Sequence, residues 1–156
     1  MSESNVSRSI LRITGKQVVD AYQKTGMFVK HNAYFTAPDK ADKLEQCAAC
    51  ALTALAVASR PGEFKFDAGA YFNSLFIRKV VAQDFLGHVG DLKTGTPMDA
   101  WLDGFTNGFD THSCNIEFYC DTDRKPMVWQ QQYCLGYANG AAVNYEVSRA
   151  YQLKHL

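Results

Sequence analysis

The chain has 156 residues and a mass of 17.4 kDa, with 47% hydrophobic and 21% charged residues, and its 16 Lys+Arg cancel 16 Asp+Glu to a formal net charge of zero. A chain of this length buries roughly 68–70% of its unfolded surface, so neither a disulfide framework nor a metal is needed to hold it folded. A sequence pI near 6.9 excludes the basic excess of a domain that binds nucleic acid directly, and zero net charge leaves little repulsion between copies.

Residues 1–9 (MSESNVSRS) are polar and lack the apolar core of a secretory signal, so they are expected to form a flexible tail before a single globular domain over 10–156. Thr14 is a candidate N-cap, Val18, Val19 and Tyr22 share one side, and Gly26 stands where a helix ends, which predicts a first helix over Thr14–Gly26. Met27–Phe35 is aromatic and β-branched without helical spacing and reads as extended. Pro38 suits a first helical turn, and Leu44, Cys47, Ala48, Ala51, Leu52, Leu55 and Ala58 recur at three- and four-residue intervals, predicting a buried second helix that ends near Ser59. After the Arg60-Pro61-Gly62 turn, Asp67 is placed to cap a helix carrying Tyr71, Phe72, Leu75, Phe76, Val80 and Phe85.

Gly87–Gly95 has three glycines and no apolar period, the mark of a loop. Thr96-Pro97-Met98-Asp99 then combines a cap, a proline at the first helical position and a first-turn carboxylate, the strongest local helix start in the chain. Cys114–Cys120 (CNIEFYC) alternates strictly and predicts a strand. Pro126–Leu153 has helical spacing throughout, as one long helix or two joined near Asn139-Gly140. The sum is a mainly α, single-domain fold of about five helices with a small two- or three-stranded sheet, α+β being the alternative. Since no run of about 18 apolar residues exists, no membrane span is expected. Five cysteines, an odd number in a chain that needs no staples, point to reduced thiols and a cytoplasmic setting.

An internal echo stands out. Trp101-Leu-Asp-Gly104-Phe105-Thr-Asn-Gly108 recurs thirty-two positions later as Tyr133-Cys-Leu-Gly136-Tyr137-Ala-Asn-Gly140, both of the form aromatic-x-x-Gly-aromatic-x-Asn-Gly. On a helix, positions 101, 104, 105 and 108 lie on one face. A helix-interior glycine costs about 1 kcal/mol relative to alanine, so the repeated pairs imply that another backbone or a flat ligand approaches closely. The plainer alternative is that each Asn-Gly ends its helix.

Candidate chemistry is sparse. Cys47-x-x-Cys50 lies inside the predicted second helix on its apolar face, where cysteine packs as a small hydrophobe, whereas a redox pair would follow a strand and open a helix. His112-x-Cys114 with Cys120 could join it as zinc ligands, but the partner spacing of a zinc site is missing, and neither a metal nor a cofactor is expected. Segment 84–123 holds eight acidic residues, among them Asp99, Asp103 and Asp110, against Lys93 alone. These features favour a non-enzymatic protein that binds a protein partner or itself through the Gly/aromatic faces and the acidic region. The alternatives are a thiol- or zinc-dependent enzyme using Cys47/Cys50 or His112/Cys114, an acidic inhibitor of a nucleic-acid-binding protein, and a small-ligand pocket lined by the aromatic and glycine positions.

Overall fold

Residues 11–64, 73–111 and 127–152 are described by the structure, a computed structural model. The first helix, α1 (Gly15–Thr25), begins as its sequence predicts: Thr14 accepts from the Gln17 amide while the Gln17 side chain accepts from the Thr14 amide, a reciprocal capping box. It stops at Gly26, which takes the left-handed conformation at φ 78° and donates to Tyr22 O.

The stretch read as extended forms two short strands, β1 (Phe28–Val29) and β2 (Phe35–Thr36). Between them, in sheet order, lies β3 (Ala48–Ala49), parallel to β1 and antiparallel to β2. Here the prediction of a helix through Leu44 and Cys47 fails. Residues Leu44–Gln46 form one 3-10 turn, and α2 starts only at Ala51 and ends at Ser59. The apolar spacing across residues 44–52 suits a helix and a buried strand equally, and two open strand edges supply the hydrogen bonds that decide for the strand. Pro38 accordingly closes a turn with Ala41 rather than opening a helix.

Every residue of α2 from Ala51 to Ala58 is buried. A helix apolar all round belongs at the centre, and α1, α3 (Ser74–Phe85) and α4 (Pro97–Phe109) pack against it. Helix α3 is capped by Asn73, whose side chain accepts from the Phe76 amide, in place of the expected Asp67, which with Tyr71 and Phe72 lies outside the described residues. Arg60, at the end of α2, grips Asp84 of α3 with two hydrogen bonds of 2.9 and 2.7 Å. In the glycine loop that follows, Gly87, Gly90 and Gly95 all have positive φ. Thr96 caps α4 and Pro97 opens it, as read from the sequence.

The last helix, α5 (Met127–Gln152), runs unbroken through Asn139-Gly140. The described chain is thus mainly α, with five α-helices and a small three-stranded sheet. The tail before residue 10, the proposed strand at 114–120, His112, Cys114 and Cys120 lie outside the described residues.

Candidate functional site

The two Gly/aromatic copies meet each other. A β-carbon on Gly104 would fall against the carbonyl of Tyr133 and 2.8 Å from the Tyr137 amide nitrogen, and one on Gly108 against Tyr137 O and 2.8 Å from Ala141 N. Reciprocally, Gly136 faces Trp101 O and Gly140 faces Phe105 O. Residue numbers rise together along both helices, so α4 and α5 run parallel and in register. Residue i of the first copy stands opposite residue i+32 of the second, and the sequence echo is an approximate twofold axis between two helices. At all four glycines the missing side chain points at a carbonyl oxygen of the other helix, the arrangement of Cα–H···O contacts between closely packed backbones. Asn107-Gly108 therefore does not end its helix by a left-handed turn: α4 continues through Phe109, and Asp110 closes it.

The rings flank this seam. Trp101, Phe105, Phe109 and His31 stack in a ladder, with centroids 5.5, 6.4 and 5.0 Å apart. Symmetry breaks at the asparagines. Asn107 donates to the Tyr133 hydroxyl at 2.9 Å. For its counterpart Asn139, the residue equivalent to Tyr133 is Trp101, which has no hydroxyl, and Asn139 instead exchanges two 2.8 Å hydrogen bonds with the backbone of fully buried Ile13. Five residues further, Asn144 meets His31 at 2.7 Å. α5 thus seals α4 through its glycines, while Asn139 and Asn144 tie it to Ile13 and to His31 in the connection between β1 and β2.

The acidic residues are also engaged. Arg78, 7% exposed, donates to both the backbone and the carboxylate of Asp99, reaches Asp103 at 3.0 Å, and lies 3.4 Å from the Tyr34 hydroxyl. Burial opposes the guanidinium charge, yet Tyr34, Asp103 and Asp99 together hold its pKa above the ordinary value. Asp84 pairs with Arg60, Asp91 with Lys79, and Asp110 is buried at the end of α4. The described part of segment 84–123 is therefore cross-linked into the fold rather than displayed as one acidic surface.

Cys50 is the N-cap residue of α2, directly after β3, a position the sequence reading assigned to a redox pair but did not expect here. Its geometry does not suit redox chemistry. Cys47 and Cys50 are separated by an extended strand, so their Cα atoms lie about 10 Å apart against the ~7 Å limit for a disulfide. Burial pushes the Cys50 thiol above 9.0, outweighing the Thr53 hydroxyl and amide that face it. Among the described residues no group of His, Cys, Asp and Glu is placed to hold a metal ion.

Around Cys50 lies a buried polar group. Tyr22 donates to Ala49 O at 2.6 Å, pinning α1 to β3. Its phenol is pushed well above 10.0, chiefly by burial, with Cys50 and Asp110 adding to it, and burial raises Tyr34 against the opposing pull of Arg78. These groups stay protonated in the folded protein where the unfolded chain would release its protons. Their contribution to stability is therefore complete below about pH 9 and falls as pH rises through the folded values. Melting temperature should hold level from about pH 7 to 9 and decline above it, with the share of phenolate absorbance that belongs to Tyr22 and Tyr34 appearing only as the protein unfolds. A level melting temperature to about pH 11 would contradict this account.

No family model, curated protein or solved structure matches this chain.

Proposed function

We propose that the protein is a non-catalytic binding protein that pairs with a second copy of itself through the outer side of α5. The Gly/aromatic faces are occupied by one another, which moves the available surface to the opposite side of the same helix. The observation that carries the reading is the composition of that side. From Met127 to Tyr145, α5 has no charged residue, and Val128, Gln131, Leu135, Ala138, Ala142 and Tyr145 recur every three or four positions, all exposed. Solvated helix faces are ordinarily charged, so an uncharged stripe of small and apolar residues is suited to close contact.

Tyr145, 62% exposed, is held by Arg149, which donates to its hydroxyl at 3.2 Å and sits 5.8 Å from its ring centre. A preset aromatic is an effective anchor at an interface. Zero net charge removes the general repulsion between copies. One helical stripe lies at the small end of interface sizes, so the pairing should be weak and concentration-dependent. No helix among the described residues is long and apolar enough to cross a membrane.

Sedimentation equilibrium over a wide concentration range is the test. The expected result is a rising mean mass, with Ala138→Glu and Tyr145→Glu each holding the chain as a monomer of unchanged melting temperature. A strict monomer at the highest concentration, or an association that both variants leave intact, would overturn the reading.

A further inference from the structure

A second surface differs in kind from the α5 stripe. β1 is an outer strand of the sheet, and the amides of Phe28 and Lys30 donate inward to Cys47 O and Ala49 O, both at 2.9 Å. Alternation along a strand turns the N–H and C=O of the intervening Val29 the other way, away from β3. Beside this edge is a cleft of about 370 Å³, lined by the chain from Gly26 to Val29 and by Tyr22 and Tyr151. The two tyrosine rings meet edge to face with centroids 6.2 Å apart, and Phe28 stands 51% exposed beside them.

We propose that the β1 edge receives an extended peptide from a protein partner, which adds as a strand at Val29 and places one aromatic or large aliphatic side chain in the cleft. Two independent features converge on this occupant. A strand edge supplies main-chain hydrogen bonds to a peptide of any sequence, and an adjoining pocket selects alternate side chains. The cleft volume, at the lower end of ligand-pocket sizes, suits a single large side chain. Lys30 fixes the polarity of the partner. It is exposed at the end of the strand and makes no ion pair among the described residues, so it favours a peptide with an acidic residue just beyond the inserted side chain. The same lysine discourages indiscriminate pairing of bare strand edges, which leaves the edge open to a complementary peptide.

The test is a titration of the isotopically labelled chain with the blocked peptide acetyl-Thr-Val-Thr-Phe-Thr-Asp-amide, followed by amide NMR and hydrogen exchange. Shifts should centre on residues 27–30 and Tyr151, with slowed exchange of the Val29 amide. Phe28→Ser should weaken binding by about fivefold or more, and Lys30→Glu should transfer preference to a lysine-ended peptide. Methylating the peptide nitrogen that would donate to the Val29 carbonyl should abolish binding. The proposal is overturned if Val29 gains no protection at millimolar peptide or if the methylated peptide binds equally well. It is likewise overturned if protection rises with protein concentration alone, which would assign the edge to a second copy.

Discussion

Replacing Gly136 with alanine should destabilise the protein by about 3 kcal/mol, even though alanine is the better helix former by about 1 kcal/mol. The new methyl would fall on the carbonyl of Trp101 and 3.0 Å from the Phe105 amide nitrogen, and backbone cannot swing aside as a side-chain tip can. The helices must separate along the whole seam, which opens space beside the fully buried rings of Trp101, Phe105 and Tyr133. At roughly 2–4 °C per kcal/mol for a chain of this size, the melting temperature should fall by about 6–12 °C. Gly62→Ala is the control, because a β-carbon there meets nothing within 4 Å, and it should leave the melting temperature unchanged or slightly higher. Gly104→Ala combined with Gly136→Ala should cost less than the sum of the two, since a seam forced open by one methyl already admits the other. Full additivity of the pair, or a neutral Gly136→Ala, would contradict the backbone contact.

Arg78→Met carries the second large effect, an expected loss of about 3–5 kcal/mol. The arginine side chain is 9% exposed and its partner Asp99 is 16% exposed, so removing the cation leaves a carboxylate with little access to water. Asp103, at 40% exposed, is screened, and Asp103→Asn should cost no more than about 1 kcal/mol. Arg78→Lys should fall between the two, because an ammonium keeps the charge but not the planar fork that reaches Asp99, Asp103 and Tyr34 together. Chemical denaturation of the three variants decides the order. An Arg78→Met loss no larger than that of Asp103→Asn would show the cluster to be solvated and of little weight.

Much of the architecture was legible wherever one local signal had a single meaning. Thr14, Gly26, Thr96 and Pro97 mark helix ends through groups that act within a few residues of themselves, and each does so in the structure. The stretch from Leu44 to Cys50 was not legible in the same way. Small apolar residues there satisfy a helical period as well as a buried strand, and the decision rests with β1 and β2, up to about twenty residues upstream. The Gly/aromatic echo announced a close backbone approach but not its partner. Periodicity places residues on a face and says nothing of what covers it, so helix against helix could not be told from helix against ligand. Likewise the acids of segment 84–123 looked like a surface because a sequence shows charge without its neighbours. Arg78 lies outside that segment, and only the fold brings it between Asp99 and Asp103.

The parallel, in-register seam has the geometry of a symmetric dimer, yet both halves belong to one chain. Tethering turns what would be a bimolecular encounter into an internal one, governed by an effective concentration that dilution cannot lower. A helix pair whose backbones touch at four glycines can then persist at any protein concentration, while the contacts proposed for the far side of α5 and for the β1 edge would respond to how much partner is present. On the proposed reading, permanence and responsiveness fall to opposite sides of a single helix.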